Sequence, residues 1–367
     1  MTKPVLFRVT NNLNIGGVQR RLRSLLPRLL PYYDVHVVTY KDKGIFFDEL
    51  ASLGVKTHFI PLKGKWDPVG IYKMSRLFKK YNAKIVHTHS LGGNISGILA
   101  AALAKVPVRI GQVHLCHLHW YARKKLHRKK QIFEEKIIHK LFTHKIIFVS
   151  KQSLNYFQKN TKLPKNKLVI IHNGFELPTS TDVKIHLKKK YLDHANQKLV
   201  GFIGRIAKGK GVNFFIKFAQ ETLKQNKEQF KFLIIGGGNL EPWQKYVREN
   251  KLTKHILFLG EKKNISDYYR ILDCLLFTSE PFAEGMPGVV LEACAFGLPV
   301  LARPSEPIKE INEYYSRIKF IDDQKNPADN LNAAIFLPPC SLEKFGNEFS
   351  IENMLNKTLN LYSSLAQ

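Results

Sequence analysis

The sequence predicts an α/β protein built from two successive doubly wound halves. Short apolar runs alternate with longer segments whose apolar residues recur at helical spacing, the pattern of parallel strands joined by crossover helices. The alternation breaks at the turn dipeptide Asn173-Gly174 and a polar stretch reaching about Lys198, then restarts. At about 150 residues per domain, the 367 residues suffice for two full cores.

In the first half the expected strands are Val5–Thr10, Val35–Thr39, Thr57–Ile60, Ile85–His87, Val108–Val113, Lys145–Val149 and Leu168–Ile171. Between the first two, Val18–Leu30 reads as a helix with Leu22, Leu25, Leu26 and Leu29 on one face, and Pro27 is expected to kink it or end it early. In the second half Leu199–Ile203, Phe232–Ile235, Ile256–Leu259, Cys274–Phe277 and Val300–Ala302 read as strands with helices between them. The tail from Ser350 to Ala366 carries Ile351, Met354, Leu355, Leu359 and Leu361 at helical spacing. The expected division is 1–174, 175–349 and a final helix in 350–367.

Composition narrows the function. Apolar residues make up 44% and charged residues 24%, the balance of a globular chain. The formal net charge is +29, and it is lopsided: residues 1–174 hold 32 Lys or Arg against 7 Asp or Glu, whereas 175–367 hold 26 against 22. The first half therefore expects an anionic partner. Cys116, Cys274, Cys294 and Cys340 are too scattered for a disulfide scaffold or a Cys-only zinc site, which fits a reducing cytosol. No run of about 18 apolar residues encodes a membrane span, and MTKPVLFRVT is too polar for a secretory signal.

The densest chemistry lies in SEPFAEGMPGVVLEACAFGLPVLAR. Between Glu284 and Arg303 the only charged residue is Glu292, set in the apolar run Gly288–Phe296. A helix apolar nearly all round is buried, and a buried carboxylate needs a partner, a core arginine or a neighbouring loop serving as well as a ligand. Pro287 suits the first helical position, and a helix starting there offers amide N–H groups to an anion.

These residues carry a resemblance. The E-x7-E spacing of Glu284 and Glu292, the EGMP turn and LEACAFGLPVLA resemble the donor-binding segment of the retaining glycosyltransferases of family 4 (glycosyl transferases group 1), which have the GT-B fold. FIGRIAKGKG at 202–211 is similar to that family's Arg-x4-Lys segment, FLIIGGGNLE to its strand and glycine loop, and ILFLGEKKN to the strand beside the nucleotide base. NIGGVQRRL resembles its Gly-Gly loop, and IVHTHS, GQVHLCH, FVSKQS and IIHNGFE come in the family's order. One departure stands in the donor loop: many members have Gly-Phe-Gly where this chain has Gly285-Met286-Pro287-Gly288, and Pro287 removes one backbone N–H.

The resemblance implies two facing Rossmann-like domains, an acceptor site on the first, a nucleotide-sugar site on the second, and a C-terminal helix that packs back on the first. It implies donor binding by Gly16, Gly17, Arg205, Lys210, Gly236, Gly237, Glu284, Gly285, Met286, Pro287, Gly288, Val289 and Glu292. Glu292 would accept from ribose hydroxyls and Glu284 from donor-sugar hydroxyls. His114 would lie beside the anomeric centre, with His89 and His117 at the acceptor side or cleft rim. The catalytic set is then His114, Arg205, Lys210 and Glu284.

The residue types suit that chemistry. Cleaving a nucleotide diphosphate sugar leaves growing negative charge on phosphate, and the sequence has no Asp-x-Asp motif to hold a metal against it. Arg205 and Lys210 can supply the cations through charge-assisted hydrogen bonds, each contributing ~3–4 kcal/mol to the transition state. Gly209 and Gly211 flank Lys210 at a strand-to-helix turn, the setting of an anion site. Neither a cofactor nor a metal is expected. HLCHLH at 114–119 holds four potential zinc ligands, but strand alternation splits His114 and Cys116 from His117.

Residues 121–145 carry nine Lys or Arg against two Glu, with Leu126, Phe133, Ile137, Ile138, Leu141 and Phe142 at helical spacing. Such a basic amphipathic helix can lie on an anionic membrane, with Arg123, Lys124, Lys125, Arg128, Lys129 and Lys130 toward it, or pack its apolar stripe on the core. The expected partners are a nucleotide diphosphate sugar, a cell-envelope glycan or lipid-linked acceptor, and the anionic inner face of the cytoplasmic membrane. A specific nucleic-acid role is not expected, because no reading motif or interleaved aromatics accompany the charge. The rival readings are a nucleotide-sugar epimerase on the same fold and a non-catalytic binder of anionic polymers.

Overall fold

The computed structural model describes residues 2–115, 125–178, 182 and 184–366. It divides into two compact units, residues 1–176 with 349–367, and residues 177–348. The first holds seven strands: β1 (Val5–Thr10), β2 (Asp34–Thr39), β3 (Lys56–Phe59), β4 (Ile85–His89), β5 (Val108–Val113), β6 (Lys145–Phe148) and β7 (Leu168–Ile170). Their order is β3-β2-β1-β4-β5-β6-β7 and every pairing is parallel. The second holds six: β8 (Lys198–Ile203), β9 (Phe230–Ile235), β10 (Ile256–Gly260), β11 (Cys274–Phe277), β12 (Val300–Ala302) and β13 (Ile318–Phe320). Their order is β10-β9-β8-β11-β12-β13, again all parallel. In each sheet the chain reverses its winding after three strands, so a switch point falls between β1 and β4 and another between β8 and β11.

Parallel sheets are covered on both faces, and the strand sequences show it. In the first unit Leu6, Val35, Val37, Ile85 and Ile110 meet Leu22, Leu25, Leu26 and Leu29 from the Gly17–Leu29 helix, with Ile351, Met354 and Tyr362 from the Ile351–Ala366 helix. On the opposite face Phe7, Val9, Val38 and Val86 meet Met74 and Phe78 of the Pro68–Lys80 helix and Ala100 and Ala101 of the Ser90–Leu103 helix. The second unit packs Phe215, Ile216 and Ala219 of the Val212–Gln225 helix on Phe232, Ile234 and Leu276. At the passage between units, Phe175 donates its N–H to Phe349 O and accepts from Ile351 N, both at 2.8 Å.

Three expectations need adjusting. Pro27 does not stop the first helix before its last turn, since the helix runs on to Leu29; placed that late, the proline leaves little helix after it to lose. β13 is absent from the strands expected from the sequence: three residues with an exposed Lys319 at their centre carry too little apolar pattern to register. Pro287 is the N-cap residue and Gly288 opens the Gly288–Ala295 helix, so the proline sits one position earlier than expected.

Candidate active site

The carboxyl ends of β10, β9, β8 and β11 lie side by side along one edge of the second sheet, with the switch point between β8 and β11. The loop after β8 and the loop after β9 lie backbone to backbone: Ile206 N donates to Gly237 O at 2.8 Å and Gly204 N to Ile235 O at 3.0 Å. A side chain on Gly236, whose φ is +150°, would come within 1.9 Å of Gly204 O. Gly211 caps the Val212–Gln225 helix at φ +72°, and a Cβ there would stand 1.9 Å from Thr278 O. Glycine is required at both by close approach and by the left-handed backbone. Gly237 lies beside the Glu261 side chain.

This lacing opens a pocket lined by Gly204, Lys210, Thr278, Ser279, Glu284 and Val289. Glu284 Oε1 accepts from the Ser279 hydroxyl at 2.8 Å and stands 2.8 Å from Lys210 Nζ. Both members of the ion pair keep some exposure, 33% for Lys210 and 17% for Glu284. Arg205, in the loop after β8, is exposed and, among the described residues, pairs with no carboxylate. Gly285, Met286 and Pro287 are buried beneath the loop, whereas Gly288 and Val289 are half-buried. Their amides stand outside the ladder of the helix that begins there, because the first bonds run from Val290 and Leu291 to Pro287 O. A carboxylate, a cation and a hydroxyl thus line one pocket, side-chain types that can hold a phosphate and a polyhydroxyl ligand together.

Glu292 lies one turn into the Gly288–Ala295 helix, half-buried. A hydroxyl holds one of its oxygens: Tyr269, 2% exposed, donates to Glu292 Oε2 at 2.9 Å. The tyrosine was not legible as a partner from sequence.

In the first unit Gly16 is the N-cap of the Gly17–Leu29 helix, with an extended backbone at φ −175°. Gly17 is exposed with open space where a side chain would go, so sterics require no glycine there.

The histidines form the second polar constellation. His87 and His89 end the central strand β4 and are each 1% exposed; His114 comes just after β5 and is half-buried. His89 Nδ1 lies 2.9 Å from His114 Nε2, and the guanidinium of Arg8 donates from Nε to His89 Nε2 at 3.1 Å. Arg8 also donates from Nη1 to the Tyr362 hydroxyl at 2.7 Å. Tyr362 Oη is 2.7 Å from His87 Nδ1, whose Nε2 faces Gln112 Oε1 at 3.0 Å. Burial, and then the charge of Arg8, push the His114 ring down to about 3 and hold His87 and His89 well below the usual imidazole range. His89 therefore does not sit at a rim. Both its ring nitrogens are taken inside the core, by Arg8 and His114. His117 lies outside the described residues, as do Cys116 and His119. Among the described residues no group of three or more His, Cys, Asp or Glu side chains could hold a metal ion.

The basic helix runs from Lys125 to Phe142. Lys125, Arg128, Lys129 and Lys130 are exposed, and Arg123 and Lys124 lie outside the described residues. Its two acidic residues turn inward: Glu135 accepts from His139 at 2.8 Å and Glu134 from Lys65 and Trp66. Leu126, Phe133 and Leu141 turn outward, 77%, 63% and 60% exposed. The apolar stripe is split, since Ile138 packs on Ile95 and Ile98 in the core.

Comparison with known proteins agrees with this layout. Residues 15–177 match the model of Glycosyltransferase Family 4 and residues 183–337 that of Glycosyl transferases group 1. The chain is 26% identical over 326 residues to the capsular polysaccharide biosynthesis glycosyltransferase CapH of Staphylococcus aureus, covering 86% of this chain and 85% of CapH. It is 28% identical over 307 residues to the UDP-Gal:alpha-D-GlcNAc-diphosphoundecaprenol alpha-1,3-galactosyltransferase of Escherichia coli, covering 78% and 76%. The solved structure of HepE from Anabaena in complex with UDP aligns with a TM-score of 0.79 at 16% identity, over 98% of this chain and 100% of HepE. The fold is GT-B. Since the two matches span both units in order, one to each switch-point sheet, the chain belongs to the group 1, family 4 glycosyltransferases.

Proposed function

We propose that this glycosyltransferase is a retaining, metal-independent enzyme that moves a hexose from a UDP-sugar to a cell-envelope glycan or lipid-linked acceptor at the inner face of the cytoplasmic membrane. The observation that carries the reading is the Lys210–Glu284–Ser279 constellation at the β8–β11 switch point, in a pocket that Gly204 and Val289 also line. Cations at phosphate stabilise the leaving group, and a carboxylate grips sugar hydroxyls. The relatives support the substrate class: the E. coli relative's name includes UDP-Gal and a diphosphoundecaprenol acceptor, and HepE was solved with UDP-glucose as well as UDP.

In this reading Arg205 and Lys210 take the diphosphate, Glu292 the ribose hydroxyls and Glu284 the hexose hydroxyls. The bond from the anomeric carbon to the phosphate oxygen breaks, and the acceptor oxygen bonds to that carbon on the same face. A phosphate oxygen takes the acceptor's proton. Glu284 is not a nucleophile here, because its Oε1 already accepts from Ser279 and faces Lys210. The acceptor is taken by the strongly basic first unit, where His114 donates to its hydroxyls. The outward face of the Lys125–Phe142 helix supports membrane contact: with both glutamates turned in, what faces out is lysine and arginine interleaved with Leu126, Phe133 and Leu141. Each such cation near an anionic surface contributes ~1 kcal/mol.

Thermal stabilisation by UDP, GDP and their hexoses in EDTA tests the donor site. At a hundredfold excess over Kd a true ligand adds ~2.7 kcal/mol. A shift with UDP that is lost in both Glu292→Ala and Arg205→Ala is expected. No shift with any nucleotide overturns the donor site, and a shift that requires a divalent metal overturns metal independence.

A further inference from the structure

Arg8 stands in the middle of a central parallel strand, 1% exposed, and among the described residues no carboxylate pairs with it. A guanidinium stays charged in proteins, so this is a buried cation whose hydrogen bonds go to neutral groups. Burying it so is costly, and the cation imposes a fixed direction on the hydrogen bonds around it. Arginine can only donate. His89 Nε2 must therefore be an acceptor, which leaves the His89 proton on Nδ1. That proton lies on the line to His114 Nε2, so His114 Nε2 must accept as well, and the His114 proton belongs on Nδ1. The other branch closes the same way. Tyr362 Oη accepts from Arg8, gives its own proton to His87 Nδ1, and His87 Nε2–H donates to Gln112 Oε1.

We propose that Arg8 and His89 are positioning residues that fix His114 as a neutral imidazole carrying its proton on Nδ1, a hydrogen-bond donor of set direction and not a proton-transfer group. The inference rests on the reading of His114 as an acceptor-side donor. It deepens that reading by assigning its polarity: the front-face route needs no histidine base, and the buried cation denies the ring a second proton. The three histidine rings stack in sequence along the strand ends, His87 on His89 at 4.8 Å and His89 on His114 at 5.2 Å between centroids, so orientation is held as well as tautomer. Tyr362 ties the arrangement to the C-terminal helix, 354 residues from Arg8 along the chain.

The test is a long-range proton–nitrogen correlation spectrum of the intact, ligand-free chain labelled with 15N-histidine, with His114 assigned by difference against His114→Asn. A single Nδ1–H tautomer that stays neutral from pH 5.5 to 8.5 is expected. An Arg8→Lys variant keeps the charge but loses the two-pronged donation, and its His114 signal should move to a mixture of tautomers. Tyr362→Phe leaves the donation to His89 in place and should keep the single tautomer. A His114 proton on Nε2, or titration near 6.5 in the unaltered chain, overturns the proposal whether or not either variant folds. Equal scrambling in both variants overturns it too, since general loosening then explains the effect. Because no substrate is present, a failure here is separate from a failure of the donor site, which the nucleotide panel reports.

Discussion

Lys210 and Glu284 face each other at 2.8 Å in the ligand-free chain, each the other's counter-ion. In the proposed reaction the lysine goes to phosphate and the glutamate to sugar hydroxyls, so the donor must replace this ion pair with two better contacts. The pair is part-exposed, and such pairs contribute less than ~1 kcal/mol to folding. Catalysis should depend on it far more. Lys210→Ala is expected to lower kcat by about 10²–10³, as loss of a charge-stabilising donor does, while Tm moves little. Glu284→Gln keeps the hydroxyl contact geometry and should lose less than Glu284→Ala. A Lys210→Ala enzyme with near-normal turnover sinks the assignment.

Tyr269 offers a cleaner separation of binding from chemistry. Its hydroxyl is the buried donor to Glu292 Oε2 and touches no reacting group in this scheme. Tyr269→Phe removes one hydrogen bond to a charged group, worth about 1.5–3 kcal/mol, and with it one constraint on the direction of Glu292 Oε2. Nucleotide affinity, measured by calorimetry with UDP, should fall about tenfold or more, with kcat at saturating donor unchanged. An affinity equal to that of the unaltered protein would show that Glu292 needs no such orientation.

Much of this molecule was legible in its sequence, for physical reasons that also explain the gaps. Buried parallel strands must be apolar runs, so Val5–Thr10, Val108–Val113, Cys274–Phe277 and Val300–Ala302 fall where periodicity puts them. The E-x7-E segment was readable because an isolated carboxylate in an apolar helix is costly. Partners distant in the chain were not. Arg8 interrupts an apolar strand, a visible signal of a buried cation, yet its partner Tyr362 could be supplied only by the fold. Tyr269 was invisible for the same reason. The outward turn of Phe133 and inward turn of Glu135 invert the usual pattern, so composition alone left open whether the stripe faces core or surface.

That inversion can be tested on vesicles. Phe133 is 63% exposed on the basic face of its helix, and burying such a ring in an interface gains ~1.5–3 kcal/mol. Phe133→Glu should reduce co-sedimentation with vesicles rich in phosphatidylglycerol by tenfold or more, and leave Tm unaltered because the side chain contributes little to the core. Raising salt should weaken binding of both proteins further. Equal binding by the two would assign this face to solvent.

The buried histidines set a pH limit on folding. His87 and His89 are held neutral in the fold, chiefly by burial and then by Arg8, while in the unfolded chain they titrate near 6.5. Below that value the unfolded state binds protons that the folded state refuses, so stability rises with pH up to about 6.5 and is lost as pH falls beneath it. Each such ring contributes a slope of about 1.4 kcal/mol per pH unit, so the two together remove about 3 kcal/mol between pH 7.5 and 5.5. For a unit of this size that is a fall of roughly 6–12 °C in Tm. His114, with its ring near 3, adds to the same slope. Denaturant titrations at half-unit pH steps should show the loss, and His89→Gln should remove one proton's worth of slope even where it lowers stability overall. An unchanged slope in that variant would mean that His89 is protonated in the fold, which the donation from Arg8 Nε does not allow.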